Sequence, residues 1–244
     1  METFTFESGG LELPAWGASP HGRPTLVLCH GLGSLDISDE LIWALSRLGF
    51  GALLFRYRGV LPGPGDYSFK GNEQDISNAI AAVKRRGWLE HGLGLLGYSL
   101  GGFHAVRITA SGEAPVRFLV LMAPLVDTRK LVEHIEQDYH TTFGEVLHSY
   151  KGALRGDPEL WLEEEKGFRG DEQPLSLASR ISVPLLLLHG KHDNNIPVDH
   201  MLLLKDAWRS PCKLVTFDTD HEFKSQESRV ASEVDGFVRE QHIA

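Results

Sequence analysis

A serine flanked by glycines is the first pattern in the chain whose residue types could do chemistry. Residues 97–101 read Gly-Tyr-Ser-Leu-Gly and directly follow the apolar run 93–96. A serine with a glycine two positions to either side, between a strand and a helix, is typical of a sharp turn that projects the hydroxyl above a sheet. Glycines there let neighbouring backbone approach closely. The pattern predicts that Ser99 is a nucleophile, and an ordinary glycine-rich turn is the alternative interpretation.

A serine hydroxyl becomes a useful nucleophile when a base takes its proton and a third group orients that base. Residues 189–193 read His-Gly-Lys-His-Asp after a predicted strand over 183–188, and Asp220 and His221 follow a predicted strand over 213–217. Residues that follow parallel strands meet at the carboxyl edge of the sheet. We therefore expect His221 to accept the proton of Ser99 and Asp193 to hold the second nitrogen of the imidazole ring.

Other residues compete for the roles of base and acid, because the chain contains 12 histidines. His189 and His192 are too close in sequence to Asp193 to serve as the base, and we interpret them as loop structure. Asp199 lies inside a predicted helix over 198–208, and Asp220 adjoins the histidine that it would have to orient. The position just after a strand favours Asp193 as the acid.

Acyl transfer also needs two backbone N–H groups that face the oxygen on which negative charge develops. One is expected from Leu100, which follows the serine at the start of a helix whose dipole favours an anion. The second is expected from the loop 30–33, which reads His-Gly-Leu-Gly after a buried strand. Leu32 is the predicted donor, with Gly31 and Gly33 as competitors. A plain glycine-containing turn is the alternative for this loop.

The elements that must position these residues alternate between strand and helix along the chain. Alternating polarity on either side of Gly9 and Gly10 predicts an opening hairpin. Later apolar runs are typical of strands buried on both faces, and segments with a period near 3.6 residues predict helices. The predicted strands are 3–6, 11–16, Thr25–Cys29, Gly51–Phe55, 93–96, Val116–Met122, 183–188 and 213–217, and the helices are 38–48, 73–86, 99–110, 198–208 and 222–238. The predicted fold is an α/β domain with a mostly parallel sheet covered on both faces.

The alternation stops between residues 124 and 180, where acidic helical segments are predicted around 131–150 and over Pro158–Lys166. We interpret 124–180 as a cap inserted into one domain that spans residues 1–244. Its acidic run 163–165 is interpreted as a solvated face, and its aromatic residues as the small core of the insertion itself. Those aromatics are Tyr139, Phe143, Tyr150, Trp161 and Phe168. Leu32, Leu125 and Ile196 are expected to border an apolar acyl site.

Composition excludes several classes of protein. The formal net charge of −9 and the lack of a dense basic run argue against a nucleic-acid partner. Neither a signal peptide nor a run of about 18 apolar residues is found, so a cytoplasmic enzyme without a membrane segment is expected. Two cysteines make no disulfide framework, and Cys29 is interpreted as core packing.

Neither a metal nor a cofactor is expected. His189, His192, Asp193 and His200 lie close in sequence, but they lack the spacing of the HExxH and CxxC metal motifs and are interpreted as loop packing. The glycines of the loop 30–33 lack the third glycine of a dinucleotide-binding fingerprint. A serine, histidine and aspartate transfer an acyl group without a cofactor.

Taken together, the motifs resemble those of the α/β-hydrolase fold family, in the family's order. They are the loop 30–33, the segment 56–59 (Arg-Tyr-Arg-Gly), the turn 97–102, the segment 189–193 and the segment 220–223. The chain is most similar to small bacterial esterases with a short helical cap between the sixth and seventh strands, including feruloyl-esterase-like and S33-peptidase-like members. The resemblance implies an eight-stranded sheet and a covalent acyl-enzyme on Ser99. Arg56 stands where the family often has an acidic residue, which bears on the subfamily and leaves the fold expectation unchanged.

The predicted activity is hydrolysis of a small carboxylic ester or thioester, with a small-molecule acyl ester as the partner. An acyltransferase or a peptidase would use the same three residues and differ in the second nucleophile or the leaving group. A non-catalytic binding protein of the same fold is a hypothesis of another class, and such relatives usually lack one of the three residues. Haloalkane dehalogenase chemistry would need a carboxylate at position 99, where this chain has Ser99.

Overall fold

A single mixed sheet organises the chain in the computed structural model, which describes residues 1–33, 39–129, 139–168 and 170–243. The eight strands pair in the order β1-β2-β4-β3-β5-β6-β7-β8. Strand β2 is antiparallel to both of its neighbours, and the other pairings are parallel. The strands are β1 (Glu2–Ser8), β2 (Leu11–Ala18), β3 (Thr25–Cys29), β4 (Gly51–Phe55), β5 (Leu93–Tyr98), β6 (Val116–Met122), β7 (Leu185–Gly190) and β8 (Cys212–Phe217). The predicted mostly parallel eight-stranded fold is confirmed.

Strand register brings the carboxyl ends of the parallel strands level with one another. Cys29 at the end of β3 pairs with Gly97, and Tyr98 at the end of β5 pairs with Met122. On the other side of the sheet, Gly190 at the end of β7 pairs with Phe217 of β8. The residues that follow these strands therefore gather along one edge, where sites in open α/β sheets form.

Helices cover both faces of the sheet. One face packs against α2, α3 and α7 and the other against α1 and α8, so the buried apolar residues form two separate clusters. Alternate residues of each central strand enter opposite clusters, which explains why these strands read as continuous apolar runs. The helices are α1 (Asp39–Arg47), α2 (Phe69–Arg85), α3 (Leu100–Ser111), α4 (Tyr139–Ser149), α5 (Pro158–Lys166), α6 (Pro174–Leu177), α7 (Asp199–Ala207) and α8 (Glu227–Glu240).

Two helices begin elsewhere than their sequence patterns predict. Helix α2 begins at Phe69 and not at 73, because the side chain of Ser68 accepts a hydrogen bond from the N–H of Gly71 and caps the helix. Helix α8 begins at Glu227 and not at 222. Phe223 and Ser225 have φ angles of 53° and 61°, which lie outside the right-handed helical region.

Cys29 lies in the core as predicted. Its side chain is fully buried in β3, and burial raises the pKa of the thiol to about 12, with a smaller opposing effect from a hydrogen bond with Tyr57. A thiol with so high a pKa is scarcely ionised near neutral pH, and the thiolate is the reactive form. Cys29 is therefore a packing residue.

Helices α4, α5 and α6 lie between β6 and β7, in residues 124–180, which we call the inserted segment. Backbone hydrogen bonds join it to the loop after β4: the N–H of Leu61 donates to Ala153 O (2.9 Å), that of Tyr67 to Arg155 O (2.9 Å) and that of Arg155 to Gly59 O (2.7 Å). The helical prediction over 131–138 and the side chains of Tyr139 and Phe143 lie outside the part that the structure describes.

The interpretation of the run 163–165 as a solvated face is wrong for two of its three residues. Glu165 is 2% exposed, and Glu164 accepts hydrogen bonds from the Ser68 hydroxyl (2.9 Å) and the Phe69 N–H (2.8 Å). The carboxylate of Glu164 thereby satisfies donors at the start of α2, where the helix dipole favours negative charge. This tertiary contact has no signature in the local sequence.

Within the described residues, no helix has both the length and the apolar character needed to cross a bilayer.

Candidate active site

Ser99 occupies a strained backbone position between β5 and α3. Its φ of 52° and ψ of −120° are unusual for a residue with a side chain, and such positions cost on the order of 1–3 kcal/mol. Both of its backbone polar groups are held: the N–H donates to Met122 O (2.9 Å), and the carbonyl oxygen accepts from the N–H groups of Gly102 and Leu125 (3.0 Å each). The surrounding backbone therefore imposes the turn that the sequence pattern predicts.

Three glycines around Ser99 make this turn sterically possible. A Cβ added at Gly101 would collide with the carbonyl oxygen of Cys29 at the end of β3. A Cβ at Gly97 would lie 2.6 Å from the Cα of Gly102, and one at Gly102 would lie 2.5 Å from the Cβ of Pro124. Strand β5, helix α3 and the neighbouring strand ends are thus packed backbone against backbone. An ordinary glycine-rich turn would need neither this packing nor the positive φ at the serine.

The structure places Asp193 against His221. The Nδ1–H of His221 donates to Oδ2 of Asp193 at 2.7 Å, and the Asp193 carboxylate is fully buried. Its other oxygen, Oδ1, accepts from the backbone N–H groups of Asn195 (2.8 Å) and Ile196 (2.9 Å). Burial by itself raises the pKa of Asp193, but the hydrogen bonds from His221, Ile196 and Asn195 and the attraction to His221 together hold that pKa below its usual value. The carboxylate is ionised and oriented.

The competing acidic residues lie elsewhere. Asp199 is in the first turn of α7, and Asp220 accepts from the N–H of Glu222 at 3.0 Å. His192 lies at the surface, where its ring is 2.9 Å from Asp218. Of the acids weighed from sequence, Asp193 is the one that contacts the ring of His221.

Tyr98 connects His221 to the turn at Ser99, a contact that sequence reasoning missed. The Tyr98 hydroxyl donates to the carbonyl oxygen of His221 at 3.1 Å, and the two ring centroids are 5.1 Å apart. Since Tyr98 is bonded to Ser99, this contact holds the histidine loop beside the serine. The sequence gives one indication of this contact, which is the aromatic residue at the unspecified position between Gly97 and Ser99.

The loops that carry Asp193 and His221 are joined through their backbones. The N–H of Lys191 donates to Phe217 O (2.9 Å), and that of His192 donates to Thr219 O (3.0 Å). A Cβ at Gly190 would collide with the carbonyl oxygens of Thr219 and Asp220. The separation of acid and histidine is consequently set by main-chain packing.

The predicted oxyanion donors lie at the starts of a loop and a helix. Leu100 is the first residue of α3, so its N–H has no acceptor within the helix, and the helix dipole favours negative charge there. Before Leu32, the buried ring of His30 lies with Nδ1 2.8 Å from Gly31 O and with Nε2 3.4 Å from the N–H of Tyr57. These partners require a neutral ring with its proton on Nδ1. The two ring nitrogens of His30 thus connect the loop 30–33 to the backbone of Tyr57.

Gly33 ends this loop against the inserted segment. Its φ is 70°, and a Cβ at this position would collide with the ring of Tyr150. The loop 30–33 and the inserted segment therefore meet in a contact that leaves no room for a side chain at Gly33.

Trp161 and Phe168 lie in the core that the inserted segment shares with α2 and α3. They are 2% and 7% exposed, and they pack edge-on against Tyr67 and Phe69, with centroids 5.5 Å and 6.4 Å apart respectively. Phe168 also contacts Phe103 of α3, at 5.4 Å. These two aromatic residues pack against α2, α3 and the loop before α2. They therefore join the inserted segment to the rest of the domain, whereas the sequence predicts that they form the core of the insertion alone.

His189 belongs to β7, and the interpretation of this residue as loop structure is wrong. It is fully buried, whereas His192 is at the surface, so the two histidines do not share a site. Among the residues that the structure describes, no group of three or more His, Cys, Asp or Glu side chains is arranged to hold a metal ion.

Comparison with known proteins agrees with this fold. The profile of the alpha/beta hydrolase family matches residues 26–233. The uncharacterized protein YfhR of Escherichia coli strain K12 is 25% identical over 222 residues, which are 87% of this chain and 70% of that protein. Est1E from Butyrivibrio proteoclasticus, solved with ferulic acid bound, superposes with a TM-score of 0.78 at 17% identity over 99% of this chain and 100% of that one. Puromycin hydrolase superposes with a TM-score of 0.72 at 21% identity over 100% of this chain and 39% of that one.

Proposed function

Because the chain belongs to the alpha/beta hydrolase family, we propose that it is a serine hydrolase that cleaves a small carboxylic ester or thioester through an acyl-enzyme on Ser99. The observation that carries this proposal is the strained turn at Ser99 beside the hydrogen-bonded pair of His221 and Asp193, 2.7 Å apart. A positive φ at a residue with a side chain is maintained only where the surrounding structure imposes it, and such strain clusters at active sites.

In the first half-reaction, Nε2 of His221 takes the proton of the Ser99 hydroxyl while Oγ bonds to the carbonyl carbon of the substrate. The electron pair of the C=O π bond moves to the oxygen, which becomes an oxyanion. The N–H groups of Leu100 and Leu32 donate to this oxygen, and losing one such donor costs about 3–4 kcal/mol in the barrier. The tetrahedral intermediate then collapses, the bond to the leaving oxygen or sulfur breaks, and that atom receives the proton from His221.

In the second half-reaction, water replaces the leaving group. His221 takes a proton from the water as its oxygen bonds to the acyl carbon, and the Ser99 oxygen leaves with that proton. The products are a carboxylic acid and the regenerated serine. Asp193 remains ionised throughout, orients the ring through Nδ1 and stabilises the imidazolium that forms in each step.

The residues next to Ser99 and Asp193 favour an apolar acyl group. Leu125, whose N–H bonds to the carbonyl of Ser99, and Ile196, whose N–H bonds to Asp193, are each 4% exposed, and Leu32 is partly buried. Apolar side chains at these positions would bind an acyl chain through the area that they bury with it. The proposal includes a small-molecule ester as the partner, a cytoplasmic location and no cofactor, metal or nucleic acid.

The test is hydrolysis of p-nitrophenyl acetate and butyrate by the wild-type protein and by Ser99→Ala. The variant should lose at least about 10⁴-fold in kcat, because removing the nucleophile of a triad removes nearly all of its catalysis. Ser46→Ala is the matched control, since the hydroxyl of Ser46 donates to Trp43 O at the surface. Full turnover by a folded Ser99→Ala protein would overturn the proposal.

A panel of esters, thioesters and amides of increasing acyl length separates the alternatives. Ester or thioester turnover that greatly exceeds amide turnover supports the proposal, and the preferred chain length measures the acyl site. Amide turnover of equal rate would point to a peptidase, and acyl transfer to added alcohol in preference to water would point to an acyltransferase. Binding without turnover across the panel would point to a non-catalytic protein.

A further inference from the structure

His189 is a buried imidazole beside the candidate acid, and the mechanism described so far does not use it. The residue lies one position before the end of β7 and is fully buried. Neither of its ring nitrogens has a hydrogen-bond partner among the described residues. Buried polar side chains nearly always have a partner, so an unsatisfied one in a folded protein calls for a functional explanation.

The alternation of β7 explains where the side chain points. Leu185 and Leu187 belong to the core cluster on the α7 side of the sheet, and His189 continues that alternation. Met201 and Leu204 of α7 are fully buried in the same cluster. A polar ring therefore occupies a position where the strand pattern would otherwise place an aliphatic side chain.

Nδ1 of His189 lies 4.0 Å from Oδ2 of Asp193, the oxygen that also accepts from His221. A carboxylate oxygen has two acceptor sites, and His221 uses one of those on Oδ2. The two acceptor sites of the other oxygen, Oδ1, accept from the N–H groups of Asn195 and Ile196. Oδ2 thus keeps a second acceptor site, and this is the oxygen from which Nδ1 of His189 is 4.0 Å away.

Three titratable groups act on His189. Burial lowers its pKa, Asp193 in the loop after β7 raises it, and His221 after β8 and His200 on α7 lower it further, with a lower pKa as the net result. The ring is therefore neutral near neutral pH. With a carboxylate facing Nδ1, the tautomer that carries its proton on Nδ1 is favoured.

We propose that His189 is a positioning residue for Asp193, whose Nδ1–H faces the second acceptor site of Oδ2 and so sets the strength of the Asp193–His221 pair. This inference rests on the proposed function. The distance of 4.0 Å between Nδ1 and Oδ2 is longer than a hydrogen bond. The N–H group of His189 acts on the buried carboxylate of Asp193 through its dipole, and such an interaction is stronger inside a protein than in water. A donor at this site spreads the charge of the carboxylate and weakens its hold on the proton of His221.

The test compares His189→Leu, which removes the dipole, with His189→Asn, whose amide nitrogen can take the place of Nδ1. His189→Leu should lower kcat about tenfold, because Asp193 loses a dipole that helps to orient it, with KM for a short ester unchanged. The acid limb of kcat/KM should move to higher pH by about half a unit, because the unsupported carboxylate holds the His221 proton more strongly. His189→Asn should have the kcat of the wild type, and the acid limb of its kcat/KM profile should lie at the wild-type pH. The surface variant His192→Asn serves as the control.

A merely structural role would lower kcat or thermal stability in both His189 variants without moving the acid limb, and that result would overturn the proposal. So would an unchanged profile in His189→Leu. NMR titration of the His221 ring signals supplies a readout that needs no activity. If the wild-type protein turns over no substrate, the proposed function fails, and a titration of His221 that moves in His189→Leu but not in His189→Asn still supports the pairing of His189 with Asp193.

Discussion

The loops after β5, β7 and β8 and the inserted segment are held in place by different kinds of contact. The loops are joined by main-chain hydrogen bonds and by glycines at which a side chain would strike backbone, as at Gly101 and Gly190. The described residues of the inserted segment share main-chain bonds with the loop after β4 and one, from Leu125, with Ser99, and side chains supply further contacts, among them Glu164 and the aromatic pair of Trp161 and Phe168.

This difference in contacts predicts that the strand-end loops are more rigid than the inserted segment. Backbone packed against backbone leaves little room for movement, so we expect the strand-end loops to hold the candidate catalytic groups rigidly. Contacts between side chains can be exchanged for others at a cost of about 1–2 kcal/mol each. We therefore expect substitutions to be tolerated better in the inserted segment than at the strand ends.

Gly101→Ala should produce the largest effect, because its Cβ would strike the carbonyl oxygen of Cys29. We expect ester hydrolysis to be lost and the free energy of unfolding to fall by about 3 kcal/mol or more, as for overpacking without relief. Gly236→Ala is the control, since Gly236 is also helical and has open space around it. Urea unfolding and p-nitrophenyl butyrate assays measure both quantities. Equal behaviour of the two variants would refute rigid backbone packing at the serine turn.

Gly33→Ala tests the place where the two regions meet. The substitution should lower kcat about 10- to 100-fold, because the loop that carries the predicted donor Leu32 must shift away from Tyr150. Gly22→Ala is the control, with a φ of 77° but nothing within reach of its Cβ. Adding Tyr150→Ala should recover part of the lost kcat by removing the collision. If Gly33→Ala matches Gly22→Ala in rate, the contact with Tyr150 does not position the loop.

Glu164→Gln should loosen the inserted segment with a smaller effect. Its carboxylate accepts from Ser68 and Phe69 at the start of α2, so we expect a loss of about 1–2 kcal/mol in stability and faster proteolysis within residues 124–180. Glu163→Gln is the neighbouring control, because Glu163 makes an exposed ion pair with Lys166, worth about 0–1 kcal/mol. Cleavage rates that rise equally in both variants would contradict the anchoring role of Glu164.

Glu73→Gln should change stability about as much as Glu164→Gln, and its effect should depend on pH. Burial raises the pKa of Glu73, but hydrogen bonds and charge from His104 and Arg107 outweigh it and lower the pKa. The stability that this carboxylate contributes is therefore present above its unfolded pKa of about 4.3 and is lost as the pH falls through its folded value.

The variant should thus unfold about 1–2 kcal/mol more easily than the wild type at pH 7, and the gap should be narrower at pH 3. Urea titrations at the two pH values measure the difference. A gap that is the same at both would show that the charge of Glu73 does not contribute to stability.

The strands and the strand-end residues could be predicted from the sequence for a physical reason. Burial on both faces demands an apolar side chain at each position, so runs such as Thr25–Cys29 are local signals. The serine turn needs glycines at particular spacings, and the acid and histidine follow strands that parallel pairing must bring level. Chain order and sheet geometry were enough to place Ser99, Asp193 and His221 along one edge.

Contacts between distant elements could not be predicted in this way. Glu164 and Glu165 look like a charged surface run because their partners or surroundings come from other parts of the chain. His189 ends an apolar run and looks like the start of a loop, although the strand continues to Gly190. The start of α8 was misplaced because two positive φ angles, at Phe223 and Ser225, have no glycine to announce them.

The most direct test of the central claim is to trap the acyl group. Wild-type protein is mixed with excess p-nitrophenyl butyrate, quenched in acid within its first turnovers and examined by intact mass and peptide mapping. The account predicts one butyryl group per chain, carried on Ser99 and absent from Ser99→Ala. A butyryl group mapped to another residue, or release of p-nitrophenol by Ser99→Ala at the wild-type rate, would contradict it.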